Sequence, residues 1–298
     1  MVIKHGALGD LVQAFDGFAT LRAGHPEAHL ALLTTGPFAG LARAMPFFDE
    51  ILIDPRASGF NLSAFLKMRK LFRSGWSRIY DFQSSRRTRR YFQHLIPADV
   101  EFVGVPSMAS HVLPDMTGVN NRDRMIKTAE LGGNQFTEAP LTWLQAEKNN
   151  WPAKAAILVP GCSPAKPQKR WPAERFAELA ILLHEKGYTP ILAGTSLDRS
   201  VGDAIMGLAP MCQDYIGRTN LMELASFMAG ASMVVGNDTG PVFLGARLGA
   251  PTLMVMSKHT DPAMSAPVGP NADWIKQDDI SAITADDVMA AATRITAN

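Results

Sequence analysis

The chain has 298 residues, enough for two domains of ordinary size, and its 47% hydrophobic and 19% charged content exclude a disordered or fibrous protein. A net charge of +1 offers no global field for nucleic acid, so any basic surface has to be local. Cys162 and Cys212 lie far apart, outside any CxxC pair, and no apolar run reaches the roughly eighteen residues of a membrane span, so a cytoplasmic protein without a disulfide framework or cysteine metal site is expected.

Residues 1–4 open almost inside a strand, which leaves room for a start slightly upstream, since strands usually run about five or six residues. The loop 5–10 carries Gly6, Gly9 and Asp10, and Leu11, Phe15, Phe18 and Leu21 then recur at helical spacing, predicting a helix over 11–21. Strands are predicted at 29–33, 50–53, 78–82 and 101–105, with a short helix near Gly40, a basic amphipathic helix over 62–72 and another helix over 122–131. Arg86, Arg87, Arg89 and Arg90 follow the 78–82 strand directly, with no acidic residue between Asp81 and Asp99. Residues 142–152 are polar, hold two tryptophans and lack periodicity. They read as a linker, dividing the chain into domains 1–148 and 149–298.

The alternation restarts with the apolar run 155–159, the loop 160–172 and a helix over 172–186 that Gly187 stops. Strands follow at 189–193, 214–216, 233–235 and 252–256, and helices at 198–208, 220–229 and from Asp238 onward. Asn220 with Glu223 and Thr284 with Asp287 have capping-box spacing, the second opening a last helix that reaches residue 295. Gly236 and Asn237 are expected to turn the chain, Asp238 or Thr239 to cap the next helix, and Pro241 to sit where an amide is not needed. Repeated strand–helix alternation predicts an α/β protein of two parallel, doubly wound sheets.

Ligands of such sheets bind beyond the carboxyl ends of the strands, which singles out the loops 5–10, 161–169 and 236–240. Neither GxGxxG nor GxxxxGK[ST] occurs, which argues against a nicotinamide site and a phosphate-loop ATPase. Asp10 reads either as a helix-start carboxylate that compensates the dipole or as a general base for a sugar hydroxyl. Lys169 and Arg170 read either as solvated loop charges or as a cationic clamp on a leaving diphosphate beside Ser163. The four arginines are either a solvated helix face or a seat for an acidic or phosphorylated acceptor. His259 and Asp261 form no convincing metal set and no DxD ends a strand, so chemistry without a metal or other cofactor is expected. Lys67, Arg69, Lys70 and Arg73 would favour an anionic membrane leaflet.

Four segments, taken in order, resemble the bacterial heptosyltransferase family, glycosyltransferase family nine. They are GALGDLVQA at 6–14, KRWPAERFAELA at 169–180, AGASMVVGNDTGP at 229–241 and HTDP at 259–262. The resemblance implies the GT-B fold, two Rossmann-like domains facing each other across a cleft, with room for the last helix to cross back to the first. It implies metal-independent transfer of a heptose, with inversion, from ADP-heptose to a lipopolysaccharide inner-core acceptor, on or near the inner membrane. By position, Asp10 would be the base. Gly9, Ser163, Lys169, Thr239 and Gly240 would lie at the donor, its diphosphate held by the last four. Asp238 would contact the donor sugar, and Thr195, Ser196 and Thr219 would lie near the nucleoside. Arg86, Arg87, Arg89 and Arg90 would face the anionic groups of the acceptor. Two features depart from the family pattern: Phe243 stands where a DTGPxH motif has His, and YDFQSSRRTRRY at 80–91 matches only loosely. They leave open a different nucleotide sugar or acceptor, or a nucleotide- or glycan-binding protein without turnover.

Overall fold

The computed structural model describes residues 1–56, 61–144, 152, 154–163 and 166–296. The chain divides into two compact units, Met1–Trp143 and Leu144–Asn298. Most of the linker expected over 142–152 lies outside the described residues.

The first unit runs β1 (Val2–Ile3), α1 (Leu8–Gln13), α2 (Phe15–Gly24), β2 (Ala31–Thr34), α3 (Ala39–Ala44), β3 (Glu50–Ile53), α4 (Leu62–Phe72), β4 (Arg78–Asp81), α5 (Arg86–His94), β5 (Glu101–Gly104), β6 (His111–Val112) and α6 (Asn121–Leu131). Its six strands pair in the order β3-β2-β1-β4-β5-β6, all parallel, so every strand delivers its following loop to the same edge. One face of the sheet buries Ile3, Leu33, Ile79 and Phe102 against Met68 and Phe72 of α4, Tyr91 of α5 and Leu95 just after it. The helix expected over 11–21 is two helices, broken at Ala14, whose amide bonds back to Leu11 O at 3.1 Å. Leu11, Phe15, Phe18 and Leu21 are all buried, so the apolar spacing runs unbroken through a break in the backbone ladder.

The second unit runs β7 (Ala155–Val159), α7 (Ala173–Glu185), β8 (Thr189–Gly194), α8 (Arg199–Leu208), β9 (Gln213–Ile216), α9 (Leu221–Ala229), β10 (Met233–Asn237), α10 (Gly240–Arg247), β11 (Thr252–Met256), α11 (Pro262–Ser265), β12 (Ala272–Lys276) and α12 (Ala285–Thr296). Its strand order, β12-β11-β10-β7-β8-β9, is again wholly parallel. The central strands β7, β10 and β11 are buried along their whole length, as continuous apolar runs covered on both faces should be. In α7 the buried set Phe176, Ala177, Leu179, Ala180 and Leu183 has helical spacing, and Gly187 ends the helix with φ at +78°. Both capping boxes form: Asn220 accepts from the amides of Met222 and Glu223, and Thr284 exchanges bonds with Asp287. The last helix, α12, packs on α7 and β11 of its own unit.

Three features depart from the sequence-based expectation. Gly236 and Asn237 do not turn the chain but continue β10, in register with Met254 and Val255. Strand packing explains the glycine, because a Cβ at Gly236 would stand 2.7 Å from Val159 Cβ. The edge strands β6 and β12 were missed, one being only two residues long and the other, Ala-Asp-Trp-Ile-Lys, half-exposed with no clean alternation. Neither Asp238 nor Thr239 caps α10 with its side chain.

Candidate functional site

At the carboxyl edge of the first sheet, the loop after β1 holds the chain close to its neighbours. Gly6 has φ at +122°, and a Cβ there would lie 2.2 Å from the Phe38 ring, so only glycine fits. His5 is fixed on both sides of its backbone: its amide donates to Gln83 Oε1 at 2.9 Å, and its carbonyl accepts from Thr35 Oγ1 at 2.8 Å. Gly9 and Asp10 lie in the first turn of α1, Gly9 buried. Asp10 Oδ2 accepts from the Ala7 amide at 3.0 Å, so the carboxylate does serve the helix start. Its side chain nevertheless stays 38% exposed, with Oδ1 3.7 Å from Lys4 Nζ. Lys4 is almost wholly buried and also donates to Phe82 O at 3.5 Å. Burial pushes its ammonium below the usual value, Asp10 and Asp81 pull it back up, and Arg124 opposes them. Asp81, at the end of β4, is pushed up by burial against hydrogen bonds from Thr88, Ser84 and Gln83.

A second buried cluster was not read from the sequence. Asp54, directly after β3, has no exposed side-chain surface, and three groups converge on it. Arg87 donates from Nη2 to Oδ1 at 2.7 Å and from Nε to Oδ2 at 2.9 Å, Tyr91 donates its hydroxyl, and His5 Nε2 lies 3.0 Å away. Burial alone would raise the carboxyl, but these contacts outweigh it and hold Asp54 well below the usual carboxylate range. Arg87, one of the four arginines expected at the acceptor, is thus paired with Asp54 in this structure. Arg86, Arg89 and Arg90 are exposed on α5, and Arg86 and Arg89 line a cavity of about 220 Å³ together with Ser84, Ser85 and Val105. A cavity of about 1080 Å³ lies at the opposite, amino-terminal edge of this sheet, among Leu30, Leu52, Trp76 and Tyr80, and none of the expected site residues lines it.

In the second unit the expected donor residues gather at the carboxyl edge, in the loops after β7, β8, β9 and β10. Lys169 closes a short turn at Pro167–Lys169, and its ammonium forms an ion pair with Asp238, each side chain 12% exposed. Asp238 Oδ2 also accepts from Thr260 Oγ1 at 2.9 Å, which draws the HTDP turn after β11 into the same cluster. This explains why Asp238 does not cap α10: its carboxylate is already engaged. Thr239 stands at the N-cap in extended backbone and Gly240 opens the helix, with Pro241 next, so neither the Asp238 nor the Thr239 side chain caps the helix start.

Asn237 holds this arrangement together. Fully buried, it accepts from the Trp171 amide at 2.9 Å and donates to Pro160 O at 2.8 Å and Gly161 O at 3.3 Å. One side chain thus ties the end of β10 to both ends of the loop that carries Ser163 and Lys169. Asp198 does similar work one strand over. It accepts from the Thr195 amide at 2.9 Å and hydroxyl at 3.0 Å, and lies so close to Gly161 that a Cβ there would be 2.5 Å from its Oδ1. The Thr195-x-x-Asp198 spacing is the capping-box signal that could have revealed it. Thr195, Ser196 and Ser163 are exposed and Thr219 half-buried; among the described residues, none shares a hydrogen bond with the Lys169–Asp238 pair. Phe243 is buried in α10, and Asp261 caps α11 by accepting from the Ala263 amide at 3.0 Å.

Two doubly wound parallel sheets, each with a cluster of polar and charged side chains in the loops beyond its strand ends, give the fold of the GT-B glycosyltransferases. The sequence profile of glycosyltransferase family 9 (heptosyltransferase) matches residues 127–287, more than half of the chain, and the chain belongs to that family. It is similar to lipooligosaccharide heptosyltransferase 2 of Haemophilus influenzae, 33% identical over 115 residues, which span 37% of this chain and 33% of that one. It is also similar to lipopolysaccharide heptosyltransferase 2 of Escherichia coli K12, 25% identical over 310 residues, covering 93% of this chain and 87% of the relative. Among solved structures, the ADP-heptose lipopolysaccharide heptosyltransferase II of Escherichia coli superimposes with a TM-score of 0.77 over 99% of this chain and 98% of its own, at 21% identity. Among the described residues no helix is long and apolar enough to cross a membrane.

Proposed function

We propose that this glycosyltransferase moves a heptose from ADP-heptose to an anionic lipopolysaccharide inner-core acceptor, inverting the anomeric carbon and using no metal. The observation that carries the reading is the Lys169–Asp238–Thr260 cluster beside the start of α10. A diphosphate there would meet the Lys169 ammonium, the Gly240 end of the helix and Thr239, while Asp238 would accept hydrogen bonds from sugar hydroxyls. Lys169 supplies the positive charge that a leaving diphosphate needs, which is the role a metal would otherwise fill. Thr195, Ser196 and Thr219 would contact the nucleoside and Ser163 the phosphates. In the single displacement, the acceptor oxygen bonds to the anomeric carbon as the bond to the phosphate oxygen breaks. ADP leaves with that electron pair, and Asp10 takes the hydroxyl proton. Arg86, Arg89 and Arg90 would hold the acceptor's carboxylates or phosphates. The names of the relatives, heptosyltransferases of lipopolysaccharide and lipooligosaccharide, support both substrate classes.

A second reading keeps the chemistry and changes the sugar, because a buried phenyl ring at Phe243 cannot supply a side-chain hydrogen bond. A donor panel at a fixed inner-core acceptor separates the two. Fastest transfer from ADP-heptose is expected; faster transfer from another nucleotide sugar would establish the second reading, and no transfer from any donor would overturn both. Lys169→Met is expected to weaken ADP binding about 10–100-fold by calorimetry, since a charge-assisted bond contributes about 1.5–3 kcal/mol. Unchanged affinity in a folded variant would remove Lys169 from the diphosphate site.

A further inference from the structure

His5, directly after β1, touches the ends of three other strands. Its amide donates to Gln83 Oε1 after β4, and its carbonyl accepts from Thr35 Oγ1 after β2. Its ring nitrogen Nε2 stands 3.0 Å from Asp54 Oδ2 after β3, and its ring meets that of Tyr91 on α5 edge to face, with centroids 6.3 Å apart. The side chain is buried, so the imidazole itself meets no substrate. It nevertheless sits at a joint. On one side, two residues along the chain, the Ala7 amide holds the Asp10 carboxylate at 3.0 Å. On the other side, Asp54 grips α5 through Arg87 and Tyr91, which are four residues apart and so share one face of the helix. That grip sets the rotation of α5 about its axis, and Arg86, Arg89 and Arg90 are left exposed.

Stability alone does not account for such a cluster. Taking a carboxylate out of water is costly, and well-packed apolar groups in place of a buried ion pair often leave a fold as stable or more so. A buried charge held by three side chains fixes geometry instead, because each further partner narrows the orientations open to the others. Here the three come from two places, the loop that leads to Asp10 and the helix that carries the exposed arginines.

We propose that His5 is a positioning residue for the transfer reaction. Through Asp54 it couples the loop that carries Asp10 to the rotation of α5, and so sets the base and the acceptor-facing arginines relative to each other. The inference rests on the reading of Asp10 as the base and of Arg86, Arg89 and Arg90 as the acceptor seat.

Steady-state transfer from ADP-heptose to an inner-core acceptor tests it, with His5→Ala, His5→Gln and Asp10→Asn compared well below their melting temperatures. In His5→Ala, kcat is expected to fall about 10–100-fold, since a misplacement of about 1 Å can cost as much as 10²-fold. KM for the acceptor should rise severalfold, while KM for the donor, which the second unit binds, should not move. A variant that is merely less stable would lose active protein without shifting either KM. His5→Gln should recover most of both losses, because its side chain reaches as far and ends in an N–H donor. Tyr91→Phe, which removes only the hydroxyl donated to Asp54, should shift the acceptor KM in the same direction by less. Hydrogen–deuterium exchange needs no turnover: His5→Ala should speed exchange in the first turn of α1 and in α5 alike, with the second unit unchanged. Parental kinetics in His5→Ala beside a slow Asp10→Asn would overturn the coupling and leave the base in place. Faster exchange confined to the first loop would overturn it too. Near-parental transfer by Asp10→Asn would instead overturn the base, and with it the role of His5 in placing it.

Discussion

Asp10→Asn is expected to lower heptosyl transfer about 10²–10⁴-fold while leaving ADP binding intact, the loss typical of removing a single general base. The reasoning starts from geometry. The Asp10 carboxylate spends one oxygen on the Ala7 amide, and the other faces Lys4 at 3.7 Å. The first bond fixes the side chain's direction, and more than a third of its surface remains open to an incoming hydroxyl. An asparagine can accept from the same amide through its carbonyl oxygen, so the first turn of α1 should persist in the variant. What it cannot do is take a proton. Single-turnover transfer together with ADP calorimetry separates the outcomes: lost transfer with retained binding assigns the base, whereas near-parental transfer would assign it elsewhere. Lys4 gives the same experiment a second arm. The buried Lys4 Nζ lies 3.7 Å from Oδ1 and helps to hold the carboxylate in place, so Lys4→Met should also slow transfer, though less than the loss of Asp10 itself.

How much of this was legible in the sequence depended on whether the cause was local. The runs at Ala155–Val159 and Thr252–Met256 read as buried strands because a central parallel strand needs no polar face. Asn220 and Thr284 announced their helices because a cap and its partner lie three residues apart. The ordered motifs likewise brought Lys169 and Asp238 to one edge of one sheet. Their pairing was not legible, because it joins residues 69 positions apart in the chain. The same holds for Asn237, which looks like a turn residue in sequence and is instead a buried strand residue whose side-chain amide ties the strand to both ends of one loop. Arg87 shows the limit most clearly. Within RRTRR it cannot be told from its neighbours, and only the fold turns it toward a carboxylate 33 residues earlier.

That carboxylate is where the largest loss of stability is expected. Asp54→Ala should destabilise the first unit by about 3 kcal/mol at neutral pH. Breaking a buried ion pair costs about 3–5 kcal/mol, and the lower end applies because the Arg87 side chain left behind is about one-third exposed and can recover some hydration. The loss has a defined pH signature. Asp54 titrates lower in the folded chain than in the unfolded one, so the folded state binds its proton less readily. Its contribution is present in full above the unfolded value of about 4 and is lost as pH falls toward the folded one. Asp81 works in the opposite sense: burial raises its carboxyl, so the folded state takes up that proton earlier, and acid relieves its cost rather than adding to it. Both proteins retain Asp81, and the difference between parent and variant therefore isolates Asp54. Urea unfolding across the acid range should show a gap of about 3 kcal/mol at neutral pH that narrows below about pH 4. A gap that stays constant down to strong acid would mean that packing, and not the charge on Asp54, holds His5, Arg87 and Tyr91 together.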